Sequence, residues 1–155
     1  MHIQVKTRVP GHYQTVFEHF NQELFEFVMP GFPKAELERY DGPTPGDRFE
    51  LTLFTPFGKQ YWHGLITERL MTEHYAYFID VGEKLPFFLK DWHHTHWVIP
   101  DGETHSYIID DFKFKAPFAL LTPFVGLALW LQFRGRRPGY RKYFKQLAEQ
   151  GRVAV

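Results

Sequence analysis

The chain has 155 residues, enough for one substantial core and too few for two, so residues 1–155 are expected to form a single domain. Lysine plus arginine and aspartate plus glutamate each number 18, which leaves no positive field to gather phosphates and argues against a nucleic-acid partner. Cysteine is absent, which excludes disulfides, thiolate metal sites and cysteine nucleophiles, while 19% of the residues are aromatic, 17 of them Phe, a large supply of ring surface.

At the start, Ile3, Val5 and Thr7 alternate with Gln4, Lys6 and Arg8 before Pro10-Gly11, which predicts a strand closed by a turn. A charged head followed by an apolar run is missing there, so the protein is expected in the cytoplasm. Between Tyr13 and Met29 the apolar residues Val16, Phe17, Phe20, Leu24, Phe25 and Val28 recur at three- and four-residue spacing. Two short helices follow from that spacing, the second capped by Asn21, with Pro30-Gly31-Phe32-Pro33 as the stop. Strand patterns then occupy 35–40, 48–55, 60–70 and 74–81, separated by Asp41-Gly42, Pro45-Gly46 and Phe57-Gly58.

Two further strands, 90–99 and 104–115, flank Pro100-Asp101-Gly102, which suits a three-residue hairpin loop with Gly102 in the left-handed position. Such a loop sets His96 opposite Ser106, His94 opposite Ile108 and Trp92 opposite Asp110, all on one face that Phe112 and Phe114 continue. Asp110 would then lie diagonally from His94. Alternation defines two faces of the sheet without saying which one is inner.

Ala116 to Phe133 contains no charge, and its apolar density predicts a helix buried on most of its faces over the open side of the sheet. A membrane span is the lesser reading, because Pro117 and Pro123 interrupt the segment and Thr122 and Gln132 add polar groups. Arg134, Arg136, Arg137, Arg141, Lys142 and Lys145 follow. Phe118, Phe124 and Trp130 beside this basic run suit transient contact with an anionic bilayer surface.

His94-x-His96 is the sharpest local motif, since two imidazoles two residues apart on a strand point the same way. A metal would need a third ligand, from Asp110 or from His63, and the spacing alone favours a hydrogen-bonded polar patch, so neither a metal nor a cofactor is expected. His94, His96 and Asp110 are the candidate acid/base residues. A glycine-rich phosphate loop, a serine nucleophile elbow and a His-Glu-x-x-His helix are all absent. For a ligand pocket the candidate wall is Phe49, Leu51 and Leu53 on one strand, Tyr77 beside Tyr75 and Ile79 on another, and Phe87-Phe88 in a loop. Trp92, His94, His96, Phe112, Phe114 and, on the helix, Phe124 complete it.

The element order, with Leu85-Pro86-Phe87, Trp92-x-His94-x-His96, Asp110-x-Phe112-x-Phe114-x-x-Pro117 and Gln132-Phe133-Arg134, resembles the START-like, or SRPBCC, ligand-binding superfamily, and within it a bacterial branch also found fused to epimerase-like proteins. Phe112 and Phe114 stand where that branch commonly has Val and Tyr, and Val98 where it has Phe, so a tyrosine hydroxyl is missing from the implied pocket wall. The resemblance implies an α+β helix-grip fold: a seven-stranded curved antiparallel sheet, two short helices and a long C-terminal helix over a cavity. It also implies a hydrophobic or amphipathic small molecule of lipid, polyketide or aromatic type as the ligand. Alternatives are a cyclase- or hydratase-type enzyme using His94 or His96 with Asp110, and a membrane-apposed interaction module.

Overall fold

A computed structural model describes residues 1–29 and 31–154. Alternation at the start of the chain gives β1 (His2–Pro10), which buries Val5, Thr7 and Val9 on one face. Two single-turn-scale helices follow, α1 (Tyr13–Glu18) and α2 (Gln22–Phe27), and the Asn21 side chain caps α2 by accepting the Leu24 N–H at 3.0 Å. Pro30, one residue of the expected helix stop, lies outside the described residues.

The strands β2 (Lys34–Tyr40), β3 (Arg48–Thr55), β4 (Gly58–Met71), β5 (Ala76–Lys84), β6 (Asp91–Pro100) and β7 (His105–Lys115) then run as successive antiparallel hairpins. β1 pairs with β7, giving one seven-stranded sheet in the order β1-β7-β6-β5-β4-β3-β2. Register shifts in β2 and β4, the latter at His63/Gly64 and Ile66/Glu68, bend the sheet into a half-barrel. Gly64 also gives the Phe49 ring its place: an added Cβ would sit 2.3 Å from that ring, so only a glycine lets the ring lie across β4.

Two sequence expectations are corrected here. The β6–β7 loop is longer than Pro100-Asp101-Gly102: Pro100 pairs with Ser106, and the Asp101 N–H reaches the His105 carbonyl at 2.9 Å. Gly102 keeps the left-handed conformation, with φ +74°. The register therefore slides by four residues, placing His96 opposite Asp110, His94 opposite Phe112 and Trp92 opposite Phe114. Because the slide is even, the same side chains stay on the same face.

The second correction concerns the C-terminal segment. Ala116 to Leu121 is a strand exit and a 3₁₀ turn (Ala119–Leu121), and α3 (Thr122–Glu149) then continues straight through the basic run. It buries one stripe, Leu129, Phe133, Tyr140, Tyr143, Phe144 and Leu147, against the sheet and the short helices. Its first turns are not buried on most faces: Phe124 is 71% exposed, and Leu127 and Leu131 also face outward. No helix among the described residues is long and apolar enough to cross a membrane.

The core falls into two packed groups under α3. One gathers Val9, Phe17, Phe78, Ile108, Tyr140 and Phe144 near α1, and the other gathers Phe49, Leu51, Trp62, Trp92, Phe112 and Phe133 near the start of α3. A buried polar cluster lies at their junction.

Candidate functional site

Three adjacent strands build that cluster. β5 supplies Asp80, β6 supplies Trp92, His94 and His96, and β7 supplies Asp110, all buried on the face that α3 covers. Asp80 accepts three contacts: from Trp92 Nε1 to Oδ1 at 2.9 Å, and to Oδ2 from His96 Nε2 at 2.8 Å and His94 Nδ1 at 3.2 Å. The other nitrogen of His94 lies 3.2 Å from Asp110 Oδ1, and the other nitrogen of His96 lies 3.7 Å from the same oxygen. The two imidazoles are stacked obliquely with centroids 3.7 Å apart, and His96 lies flat on Phe78 at 4.1 Å.

Electrostatics sorts these groups into different protonation states. Burial works against the charge of Asp80, but the His94 imidazolium and the hydrogen bonds from both histidines outweigh it and hold the carboxyl below the usual range. Asp110 is likewise lowered against the effect of burial, chiefly by its hydrogen bond with His94 and by the charges of His94, His96 and Arg136. Burial would strip the proton from His94, yet the two carboxylates overcome it and raise its pKa. His96 is pushed down to about 4, by burial first and by the neighbouring His94 charge second. The resting cluster therefore holds two carboxylates, one imidazolium and one neutral imidazole. Donation from His96 Nε2 to Asp80 leaves its Nδ1 as a bare acceptor, and His96 Nδ1 and Asp110 Oδ2 have no hydrogen-bond partner among the described residues.

Open space meets this cluster in two places, the smaller a cavity of about 30 Å³ that touches Asp80, His96, Arg136 and Tyr140. An internal cavity of about 40 Å³, room for about one water, touches Asp80, His94, His96, Trp92, Gln132, Phe133 and Arg136. Phe49, Leu51, Leu53 and Trp62 form its apolar wall. Through Leu53, Trp62 and Gln132 it abuts a larger cleft of about 700 Å³ at the start of α3. That cleft is lined by Phe32, Phe57, Phe87, Phe88, Phe124 and Leu131 among others, and is almost wholly apolar.

The wall residues expected from sequence thus separate into three groups. Phe49, Leu51, Leu53, Trp92, His94 and His96 line the cavity, and Phe87, Phe88 and Phe124 line the cleft. Phe112 and Phe114 are buried but line neither: Phe112 packs on Phe133 at 4.5 Å and on Trp92 at 5.2 Å, so it fills the core. Tyr77 is corrected to the convex side, where it packs on Trp97 at 4.7 Å and donates to Glu68. A tyrosine and a tryptophan tolerate that half-wet position because each keeps a polar tip for water. His63, the alternative third ligand, also lies on the convex side, paired with Glu50 across the strand while its neighbour Trp62 faces in.

Asp80, Trp62, Gln132 and Arg136 are not among the site residues expected from sequence, although Gln132 and Arg136 appear there in other roles. Arg136 did carry a signal: it falls at three- and four-residue spacing on the buried stripe Leu129, Phe133, Tyr140. Its guanidinium lies over the Phe133 ring at 4.2 Å, and its Nε is buried without a partner. Asp80 alternates with the buried Ala76 and Phe78, which marks it as an inward acid once the inner face is known.

No protein-family model matches the chain, and no curated protein matches it in sequence. Solved structures do match in shape. A START superfamily protein from Mycobacterium smegmatis superposes with TM-score 0.71 at 9% identity, over 94% of this chain and 98% of that one. The Zhui aromatase/cyclase from Streptomyces sp. R1128 gives TM-score 0.68 at 11% identity, over 96% and 95%. Norcoclaurine synthase from Thalictrum flavum, in complex with dopamine and hydroxybenzaldehyde, gives 0.61 at 14% identity, over 89% and 84%. The chain has the helix-grip fold shared by START-like and polyketide-cyclase-like proteins.

Proposed function

We propose that the chain acts as a single cytoplasmic domain that binds a hydrophobic or amphipathic small molecule of lipid, polyketide or aromatic type. The observation that carries this reading is the apolar cleft of about 700 Å³, which shares Leu53, Trp62 and Gln132 with the small cavity beside the buried Asp80–His94–His96 cluster. Concave apolar space ending in a few convergent polar groups is the usual form of a small-molecule site. The shape likeness to a START protein and to norcoclaurine synthase holding two aromatic molecules supports it. In this arrangement the apolar body of the ligand occupies the cleft and its polar end faces Gln132 and Arg136.

Loading from a bilayer fits the outer stripe of α3. Phe124, Leu127 and Leu131 face out, Phe124 and Leu131 at the cleft, and Arg134, Arg141, Lys142 and Lys145 continue the same stripe toward the C-terminal end. An apolar end that dips and a basic end that meets anionic headgroups suit a peripheral membrane contact.

A second reading, a cyclase- or hydratase-type enzyme, is favoured by one feature. His96 is a neutral imidazole at the cavity wall with an unengaged Nδ1, the state required of a general base. The likeness to an aromatase/cyclase accords with it.

The deciding experiment is native mass spectrometry of freshly purified protein with organic extraction of anything released, followed by titration with a fluorescent apolar probe. We expect one bound apolar molecule per chain. Ala128→Trp, which blocks the cleft from its exposed helix wall, should weaken the probe by at least about tenfold, the loss of some 1.4 kcal/mol. Absence of probe binding by folded wild-type protein would overturn the proposal. Under the enzyme reading His96→Gln keeps probe binding and loses turnover by about 10²-fold or more.

A further inference from the structure

The polar cluster has an internal order that a ligand-binding wall does not require. Asp80, His94 and His96 each offer one ligand atom, and those atoms all lie within 4.8 Å of one another. His94 turns Nδ1 and His96 turns Nε2 toward the same atom, Asp80 Oδ2, at 3.2 and 2.8 Å. Both rings then turn their second nitrogen toward Asp110 Oδ1, at 3.2 and 3.7 Å. One carboxylate thus faces the inner pair of nitrogens and another backs the outer pair.

We propose that Asp80 Oδ2, His94 Nδ1 and His96 Nε2 form a binding site for a first-row divalent cation of the zinc or ferrous type, supported by Asp110 and Trp92. A tetrahedral centre with bonds of about 2.0–2.1 Å sets its ligand atoms roughly 3.3 Å apart, close to the 3.2 and 2.8 Å at which the two nitrogens already stand from Asp80 Oδ2. Two imidazoles and one carboxylate suit borderline transition ions and disfavour calcium and magnesium, which prefer oxygen cages.

The surrounding groups complete the assignment. Metal-bound histidines donate their remaining N–H to a carboxylate or carbonyl, which fixes the tautomer and strengthens the ligand. Asp110 Oδ1 is in place to accept from His94 at 3.2 Å and lies 3.7 Å from His96 Nδ1, within a small adjustment of a second bond. With the cation bound, His96 carries its proton on Nδ1 and donates toward Asp110, so both that nitrogen and the Asp110 carboxylate, which has an unpartnered Oδ2 at present, gain a role. Trp92 donates to Asp80 Oδ1 at 2.9 Å, which holds the carboxylate by one oxygen and leaves the other for the metal. All three ligands line the internal cavity, so a fourth ligand would come from that space, whose lining also includes Gln132 and Arg136, the groups proposed to face the polar end of a bound molecule.

Dialysis against chelator followed by Co²⁺ titration, read by visible absorption and reversed with Zn²⁺, tests the site. One Co²⁺ per chain is expected, with a ligand-field band that Zn²⁺ bleaches. His94→Ala and His96→Ala should remove the band, Asp110→Asn should weaken binding roughly 10–100-fold, and His63→Ala on the convex side should leave it unchanged. The proposal is overturned if folded wild-type protein takes up neither ion, or if the band survives unaltered in folded His94→Ala. Should the alanine variants fail to fold, an unchanged affinity in Asp110→Asn overturns it equally. The apolar-probe titration is independent of the metal readout, so loss of one reading leaves the other standing.

Discussion

Gly64→Ala links the packing of the sheet to the shape of the cavity. An alanine Cβ at this position would lie 2.3 Å from Phe49 Cε1 and Cζ and 3.1 Å from Cδ1. Carbon atoms rest at about 3.5–4.0 Å, so the Phe49 ring must retreat by more than about 1 Å. Phe49 lines the internal cavity and already meets Phe25 at 5.6 Å, so the retreat drives it into the binding space or against α2. Overpacking of this kind costs about 1–3 kcal/mol. In a chain of this length each kcal/mol lowers Tm by about 2–4 °C, giving a fall of about 2–12 °C by circular dichroism. Probe affinity should fall with it. Phe49→Leu in the alanine background should restore stability, with a coupling of about 1 kcal/mol or more in a double-mutant cycle. Additive single effects, with coupling under about 0.5 kcal/mol, would refute the assigned contact.

Other perturbations separate the remaining claims. Asn21→Ala removes the cap that accepts the Leu24 N–H and should cost about 1 kcal/mol by denaturant unfolding, with little change in the unfolding slope. Phe124→Glu combined with Leu127→Glu should abolish sedimentation with anionic vesicles at low salt without lowering Tm, and retained sedimentation would remove α3 as the contact surface. For chelator-treated protein the pH profile of Tm should peak near neutrality. His96 binds its proton at about pH 4 when folded and near 6.5 when unfolded, so stability falls by about 3 kcal/mol as pH drops across that interval. The lowered Asp80 and Asp110 add to the loss at still lower pH, since their contribution is present above the unfolded carboxylate pKa and vanishes through the folded one. The raised His94 acts on the other side: its contribution is full below about 6.5 and is lost as pH rises through its folded pKa. A flat profile from pH 4.5 to 9 would contradict these protonation states.

Local chemistry carried most of the architecture. β3 occupies the stretch that alternation predicts, Asn21 caps α2, and Gly102 takes the left-handed turn position. What failed depended on contacts between distant parts of the chain. The β6–β7 loop holds Asp101 through Arg8 of β1 and Thr104 through the Gly11 N–H, neither visible from a Pro-Asp-Gly tripeptide. Tyr77 read as a pocket residue because rings suggest interior, but the rings of Tyr75, Tyr77 and Trp97 pack together on the convex face, leaving Ala76, Phe78 and Asp80 inside. Once that face was misassigned, Asp80 could not be seen as the partner of His94 and His96. Charge misled in the same way at Arg136, which belongs to a basic run and yet points to the core stripe.

The pairing of β1 with β7 bears on the order in which the molecule comes together. Every other strand pair joins sequence neighbours through a hairpin, whereas β1 must bring His2 to Lys113. Closing so long a loop is entropically slow compared with zipping adjacent hairpins. Asp80, His94, His96 and Asp110 all sit within the run β5 to β7, so the meander can bring the two acids and two imidazoles together while that face is still wet. Desolvation then arrives with β1 and α3, after the opposite charges have found each other. Pulsed hydrogen exchange would register this sequence as protection of β6 amides ahead of β1 amides, and the reverse order would contradict it. The interior charges of this protein are thus expected to be neutralised before they are buried.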